Sequence, residues 1–361
     1  QQVRLNDLHL TKDYPQSELS LKLQANFTGG SIDEMNGDIC IDSLQLLSPE
    51  KDFRLSNLKM TSETRDAMHK RLTIISPSFH ASIEGNYSYR TLPLSLKQIL
   101  GRYLPSLMEQ KESKVKHTFT PENDFGFDLY LADAELFSSL FHVPLTLYAP
   151  ATVKGYVNDR MGRLRMEAYL PRLRYKQKFY ESAMLLCENP ADRFRAHARF
   201  NEIKSEGAVN VTLEASARGD SIDTQLHWGN SGVSTYSGHL NAMAHFTPAP
   251  IKTTIQIRPT EIMLNDTVWN VHPATVEVDS GKIHIHDFAF NHKERHLHID
   301  GTLSKSPKDT LRIDLSKINI GYVFDIADLG INFCGEATGP ALATNLLDEP
   351  AMQTDLFIKG L

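Results

Sequence analysis

From Val268 to Thr302 the chain alternates apolar and polar residues in short runs: Val276/Val278, Ile283/Ile285, Leu297/Ile299. Turn residues separate them, as in Asp279-Ser280-Gly281, Asn291-His292-Lys293 and Asp300-Gly301. Period-two alternation predicts strands with one apolar and one polar face. The same texture fills most of the chain: Leu19/Leu21/Leu23, Ile39/Ile41, Phe53/Leu55, Leu72/Ile74, Phe125/Phe127/Leu129/Leu131, Leu164/Met166/Ala168/Leu170, Phe194/Ala196/Ala198/Phe200, Val209/Val211/Leu213/Ala215, Ile222/Thr224/Leu226, Ile255/Ile257 and Leu311/Ile313/Leu315. Gly29-Gly30, Asn36-Gly37 and Ser48-Pro49 supply turns. Strands recur every ten or so residues, a spacing that fits hairpins.

Three segments break the pattern. Leu94–Leu104 places Leu96, Ile99, Leu100, Tyr103 and Leu104 on one helical face, with Pro93 near its start and Pro105 ending it. Asp133–Phe141 predicts a second short helix, ended by Pro144, and Tyr322–Ala327 a third. The long polar interruption lies at 109–124 and is rich in lysine at its start. The expected organisation is therefore a strand segment over 1–108 that ends in a helix, a polar loop over 109–124, and a strand continuation over 125–361. Strands with one apolar face can close into a sandwich or a barrel, or stay an open groove filled by something else. No Pro/Gly/Ser-rich linker divides the chain into sandwich-sized units, which favours continuous stacking of hairpin on hairpin.

Composition removes several function classes. With 41% hydrophobic and 23% charged residues the chain is neither disordered nor membrane-embedded. A formal net charge of −6 leaves no electrostatic footprint for nucleic acid. No apolar run is long enough to span a bilayer as a helix. The chain starts at Gln1 and stops at Leu361 inside a strand-like pattern, so it reads as an internal piece of a longer protein. Three widely spaced cysteines, Cys40, Cys187 and Cys334, exclude a disulfide framework and a CxxC zinc site and predict buried free thiols.

Candidate chemistry is sparse. His284/His286 and His296/His298 each place two imidazoles on one strand face, a spacing that can hold zinc if adjacent strands converge. If Ile283 and Ile285 face an apolar interior, however, His284 and His286 face water. The basic series Arg163, Arg165, Arg172, Arg174, Lys176 and Lys178 reads as a solvated strand face, or as a rim that touches lipid phosphates. Around Ser234 the second glycine of a nucleophile elbow is missing, and no phosphate-binding loop occurs. The expectation is a protein that is not an enzyme and needs no cofactor.

Three stretches carry a family resemblance. One is Val268-Trp269-Asn270-Val271-His272-Pro273 with the hairpin Lys282–Thr302 and Ile318–Gly339. The others are Ile75–Leu107, a strand, a Gly-Asn turn, a strand and a helix, and Phe125–Tyr175, which ends in Leu170-Pro171-Arg172-Leu173-Arg174-Tyr175. Together they resemble the TamB (translocation and assembly module) family, of the form found in Bacteroides-type bacteria and related to AsmA-like proteins. The resemblance covers about Leu55 to Asn345 and rests on apolar spacing with a few Gly, Trp and Pro. It implies a mostly β fold, an elongated β-taco: an open, twisted sheet trough with an apolar interior and two or three short helices. It further implies a periplasmic segment of a parent anchored in the inner membrane of a Gram-negative cell, outside this piece, and meeting an outer-membrane barrel partner.

Under that reading the groove offers phospholipid acyl chains a floor made of Phe125, Phe127, Leu129, Val209, Val211, Leu213, Ile255, Ile257, Ile283, Ile285, Leu311 and Ile313. Some twenty to twenty-five strands at about 4.8 Å each would extend on the order of 100 Å. The alternatives are a scaffold that templates strands of outer-membrane proteins at an exposed sheet edge, and a sandwich array that binds glycans or proteins.

Overall fold

The computed structural model describes residues 2–4, 18–47, 52–66, 69–108, 122–135, 137–138, 143–204, 207–230, 237–248, 250–264, 266–319 and 335–360. The protein is mostly β, with 70% of residues in strands and 7% helical, and it divides into two compact units. The first comprises Gln1–Leu100 and Ser113–Ser205, the second Gly101–Glu112 and Glu206–Leu361.

The first unit holds β1 (Gln2–Arg4), β2 (Glu18–Thr28), β3 (Asn36–Leu47), β4 (Asp52–Asp66), β5 (His69–Ile75), β6 (Phe79–Asn86), β7 (Asp124–Leu131), β8 (Leu145–Leu147), β9 (Ala151–Asn158), β10 (Arg163–Tyr175), β11 (Lys178–Glu188) and β12 (Phe194–Lys204). Each strand pairs antiparallel with the next, except that β7 pairs β9, and β8 and β9 share opposite ends of β10. Helix α1 (Leu92–Gly101) belongs to this unit and α2 (Pro105–Met108) to the second. The single helix expected over Leu94–Leu104 is thus two. The first ends at Gly101 and Pro105 opens the second, because a proline fits the first turn of a helix but not its interior. Of the helix expected over 133–141, the described residues 135, 137 and 138 are helical, and the Ser138 amide bonds to the Ala134 carbonyl at 2.8 Å. The helix expected at Tyr322–Ala327 lies outside the described residues.

The second unit holds β13 (Gly207–Arg218), β14 (Ser221–Asn230), β15 (Ser237–Thr247), β16 (Lys252–Ile257), β17 (Thr260–Leu264), β18 (Thr267–Val271), β19 (Ala274–Asp279), β20 (Lys282–His292), β21 (Arg295–Leu303), β22 (Thr310–Asn319), β23 (Glu336–Thr344), β24 (Ala351–Thr354) and β25 (Phe357–Lys359), again paired antiparallel. Two-residue turns close several of its hairpins. Gly219-Asp220 (φ 56° and 58°) joins β13 to β14, and Ser280-Gly281 (φ 49° and 81°) joins β19 to β20. Two successive positive φ values are what a type I′ turn needs to match strand twist.

Long ladders accumulate register errors, and a slip of one residue would turn every following side chain to the wrong face. Bulges absorb this. Asn57, Ser182, Asp287 and Lys317 take left-handed φ values of 55°, 53°, 50° and 51°. Each sits where the apolar spacing widens from two residues to three: Leu55…Leu58, Tyr180…Ala183, Ile285…Phe288 and Leu315…Ile318. Register shifts at Glu181/Met184, Ile285/Phe288 and Leu315/Ile318 mark the last three. The extra residue is spent inside the bulge, so the residues on both sides stay on one face.

In the second unit two strands break at the same level. Arg258-Pro259 separates β16 from β17, and His272-Pro273 separates β18 from β19. Ile257 pairs Ala274 on one side of the break and Thr260 pairs Val271 on the other. A proline cannot donate to the ladder, so both strands kink together. Beyond the break the short β17–β18 hairpin carries Leu264 and Trp269 into a buried cluster with Leu315, Ile318 and Ala337. The Trp269 ring stacks on Phe290 at 4.7 Å and 8°.

Glycine makes room for the other tryptophan. A Cβ on Gly238 would lie 2.5 Å from Trp228 Cζ2 and 2.8 Å from Ile262 Cγ2, whereas one on Gly126 meets only a carbonyl at 3.7 Å. Gly238→Ala is therefore expected to cost about 1–3 kcal/mol by overpacking, and Gly126→Ala within roughly 0.5 kcal/mol of nothing. Denaturant titration of the two variants checks this.

Candidate functional site

Tracing direct cross-strand partners through the first unit yields one uninterrupted apolar row: Ala25, Ile39, Met60, Ile74, Ala81, Leu129, Val153, Ala168, Leu185 and Ala198. The second unit has its own: Ala217, Ile222, Ala244, Ile255, Val276, Ile285, Gly301, Leu311 and Ala343. Directly opposed residues share a face, so each unit presents one apolar side. The adjacent row on the opposite side of the first unit reads Asp38, Thr61, Thr73, Ser82, Asp128, Lys154 and Glu167.

The burial along these rows runs against that of a sealed core. Every member of the first row is partly exposed, and at the β2 end Leu23 and Phe27 on the same face are 47% and 51% exposed. Of the buried apolar residues of this unit, Phe79, Phe125, Ala151, Val157 and Leu173 lie toward strand ends, whereas Leu72 is buried at the middle of β5. In the second row Ile222 through Gly301 are half-buried, while Ala217, Leu311 and Ala343 are buried.

Helical segments cover the ends. Against one end of β6, β7 and β9 the helical stretch after Asp133 packs Phe137 edge-on to Phe79 at 5.9 Å and Ala134 into a cluster with Leu147, Ala151 and Leu173. At the other end α1 is tied down by a polar network. Asn123 donates through Nδ2 to Ser95 Oγ (2.6 Å) and Thr91 Oγ1 (3.0 Å) and accepts the Ser88 amide at 2.8 Å. Asp159 Oδ2 accepts from Ser95 Oγ (2.7 Å) and from the Asn123 amide (2.8 Å). Asp33 accepts the Tyr89 amide (2.7 Å) and Ser88 Oγ (2.9 Å). Under this network Tyr87 packs on Phe125 at 6.0 Å, and burial pushes its phenol well above the ordinary tyrosine range. In the second unit Ser106 of α2 donates its amide and hydroxyl to Asp220 (2.8 and 2.9 Å), which seats that helix on the β13–β14 turn.

Each predicted floor residue falls on its unit's apolar side. In the first unit Phe125 is buried beneath Tyr87, whereas Phe127 and Leu129 are half-buried at mid-strand. A Cβ on Gly155 would lie 2.6 Å from the Phe127 ring, so this glycine leaves the space the ring occupies. In the second unit Val209 and Leu311 are buried, and Val211, Leu213, Ile255, Ile257, Ile283, Ile285 and Ile313 are half-buried. The register joins Leu213 to Leu226 and Leu240, and Ile255 to Ile285 through Val276. Val153 and Leu185 belong to the same surface but escape the sequence pattern. In Ala151/Val153/Gly155/Val157 small residues dilute the alternation.

On the polar side the basic series is largely neutralised. Arg165 pairs with Glu167 (2.6 Å) and Glu188 (2.7 Å), Arg172 with Glu181 (3.5 Å) and Lys178 with Glu202 (3.9 Å). Arg163 donates to the Asn189 carbonyl at 3.1 Å, and Lys176 lies 5.9 Å from the Tyr175 ring centroid. His284 and His286 stand on the polar side opposite Glu277 and Thr275. His284 bonds Thr302 Oγ1 (2.8 Å), His296 bonds Asp314 (2.7 Å) and His298 faces Asp287 at 3.5 Å. The two His-x-His pairs thus engage separate partners. Among the described residues no group of three or more His, Cys, Asp or Glu stands close enough to hold a metal. Cys40 and Cys187 are free and only half-buried, Cys40 on the polar side and Cys187 on the apolar side, where burial raises its thiol. Cys334 lies outside the described residues. Among the described residues no helix is long and apolar enough to cross a membrane.

Comparison with protein-family models, with curated proteins and with solved structures gives no match.

Two outcomes follow from this geometry. Asn123→Ala strands several buried polar groups and is expected to cost roughly 2–4 kcal/mol, read by chemical denaturation, with the α1 amides losing hydrogen-exchange protection first. The second concerns pH. Glu167 is held below its ordinary value by hydrogen bonds from Arg165 and Lys154, Glu277 by one from Lys252, Glu294 by one from Lys317, and Asp309 by ones from Lys282 and Ser304. A lowered carboxylate stabilises fully above its unfolded pKa and stops doing so as pH falls through the folded value. The melting temperature should hold from neutral pH to about 5 and fall below about 4, and Glu167→Gln should flatten that fall.

Proposed function

We propose that the apolar face is a lipid groove, the floor of an elongated β-taco whose open trough shelters phospholipid acyl chains. The protein would be a periplasmic segment of a TamB-like bridge between inner and outer membranes, acting in outer-membrane biogenesis without catalysis. Its parent would be anchored in the inner membrane and would meet an outer-membrane barrel partner.

The observation that carries this reading is the half-exposure of the whole row from Ala25 to Ala198. Between two packed sheets the middle of the inner face would be the driest part. Partial exposure of that row at mid-strand supports the open reading, and helical segments pack on the strand ends of β6, β7 and β9. A continuous apolar surface of this kind suits a guest made of methylenes. Each CH₂ kept from water is worth about 0.8 kcal/mol, so a whole acyl chain in the periplasm would cost roughly 10 kcal/mol. The sequence resemblance to the TamB family supports the same reading.

Native mass spectrometry of the purified chain is expected to find bound phospholipid. Leu213→Asp and Ile257→Asp should leave the chain folded by circular dichroism and remove the lipid. In a sealed core the same charges would cost several kcal/mol and unfold it. A chain that neither carries lipid nor takes it up from vesicles would overturn the proposal. The strand-templating alternative has one feature in its favour: β24 and β25 pair only with β23 among the described residues, and Met352 and Phe357 on them are 63% and 72% exposed. On that reading Leu213→Asp is harmless, and a proline in β24 abolishes partner strand capture.

A further inference from the structure

Three exposed tyrosines stand on the polar side of the first unit, where the alternation calls for hydrophilic residues. Tyr130 on β7, Tyr156 on β9 and Tyr169 on β10 are 42–45% exposed. Tyr130 and Tyr169 are the register partners of Thr152 on either side. Tyr156 stands four residues further along β9, opposite Gly126 and Arg165. An aromatic side chain can cover a cross-strand glycine. Here it does not: the only atom within 4 Å of a Cβ on Gly126 would be the Gly155 carbonyl oxygen, at 3.7 Å. The space left open is a cavity of about 480 Å³ whose lining includes Gly126, Tyr156, Asp128, Lys154, Arg165 and Glu167. A second cavity of about 400 Å³ shares Lys154 and Glu167 with the first and reaches Tyr169. The two hollows thus meet around one ion pair, with a tyrosine at either end.

We propose that this polar face binds a neutral oligosaccharide. A sugar ring has an apolar face of C–H groups and a rim of hydroxyls that both donate and accept. The site offers counterparts to each. Tyr156 and Tyr169 supply flat apolar rings with a polar tip. Between them stand polar groups already held in place. Arg165 donates to Glu167 through Nε (3.0 Å) and Nη2 (2.6 Å) and to Glu188 through Nη1 (2.7 Å), and Lys154 lies 3.4 Å from Glu167. Planar groups fixed in this way lose little freedom when hydroxyls bind them. Charge selects against acidic ligands. Glu84, Asp128 and Glu167 outnumber Lys154 and Arg165 in the first hollow, so a polyanion meets net repulsion. Tyr156 and Tyr169 are two register rows apart along the strand and one strand apart across it, roughly 14 Å at the backbone. That is the reach of a short oligosaccharide, not of a single sugar.

The site lies on the side opposite Leu129, Val153 and Ala168, so it is independent of the lipid reading. The test is calorimetric titration of the full chain with soluble tetrasaccharides: neutral ones of glucose, mannose and N-acetylglucosamine, and an acidic one of galacturonate. Saturable binding of at least one neutral probe is expected, with the matching monosaccharide at least about tenfold weaker and no saturation by galacturonate. Tyr156→Ala and Tyr169→Ala, both at exposed positions, should each weaken binding by about tenfold. Gly126→Val fills the hollow and should abolish binding while the circular dichroism spectrum stays that of the unmodified chain. Phe357→Ala, which removes an exposed ring from the second unit, should bind as the unmodified chain does, and so should Leu213→Asp. Absence of saturable binding by every neutral probe overturns the assignment. So does binding that survives both tyrosine variants and Gly126→Val, or binding of galacturonate alone.

Discussion

What every other feature relies on is the register between antiparallel neighbours. Side chains alternate with a period of two, so a ladder of many strands keeps one apolar side only if each pairing preserves parity. Parity fails wherever a strand must bend, and the protein restores it with an inserted residue in the left-handed region at Asn57, Ser182, Asp287 and Lys317. None of these is glycine, and a non-glycine residue is uncommon there. The strain is local and small beside the alternative, which would turn the remainder of an apolar strand to water.

The second constraint is how the apolar side ends. Strand termini expose both backbone groups and hydrophobic side chains, and α1 covers them in the first unit through buried hydrogen bonds together with the buried side chain of Ile99. Ser95 and Asn123 are almost inaccessible, yet their polar groups are satisfied by Thr91, Ser88 and Asp159. Such a network fixes the helix in one position at the strand ends. Buried polar contacts specify geometry while contributing little net stability.

Strands were legible in the sequence wherever β-branched or large residues alternate, as at Phe125–Leu131, Val209–Ala215 and Lys282–Leu303. They were faint where alanine and glycine hold the apolar positions, as in β9 and β15. The widened spacings Leu55…Leu58 and Ile285…Phe288 are a readable sign of bulges, but only once the flanking strands are aligned. The matched breaks at Pro259 and Pro273 cannot be recognised one strand at a time, since their meaning is that they stand opposite each other. The Asn123 network joins residues 28 to 64 positions apart in the chain. Chemistry that arises across strands is invisible to a reading along them.

Most residues here answer only to the strand on either side, as the pairings of β19 through β23 illustrate. This gives the architecture a modular arithmetic. A whole hairpin inserted at a turn such as Ser280-Gly281 reverses the chain twice and returns it in the original direction, so no existing residue changes sides. Gain or loss of a single strand would invert everything downstream. Descendants of such a chain are therefore free to grow or shrink in steps of two strands, with span adjusted by duplication while the chemistry of each face is inherited intact.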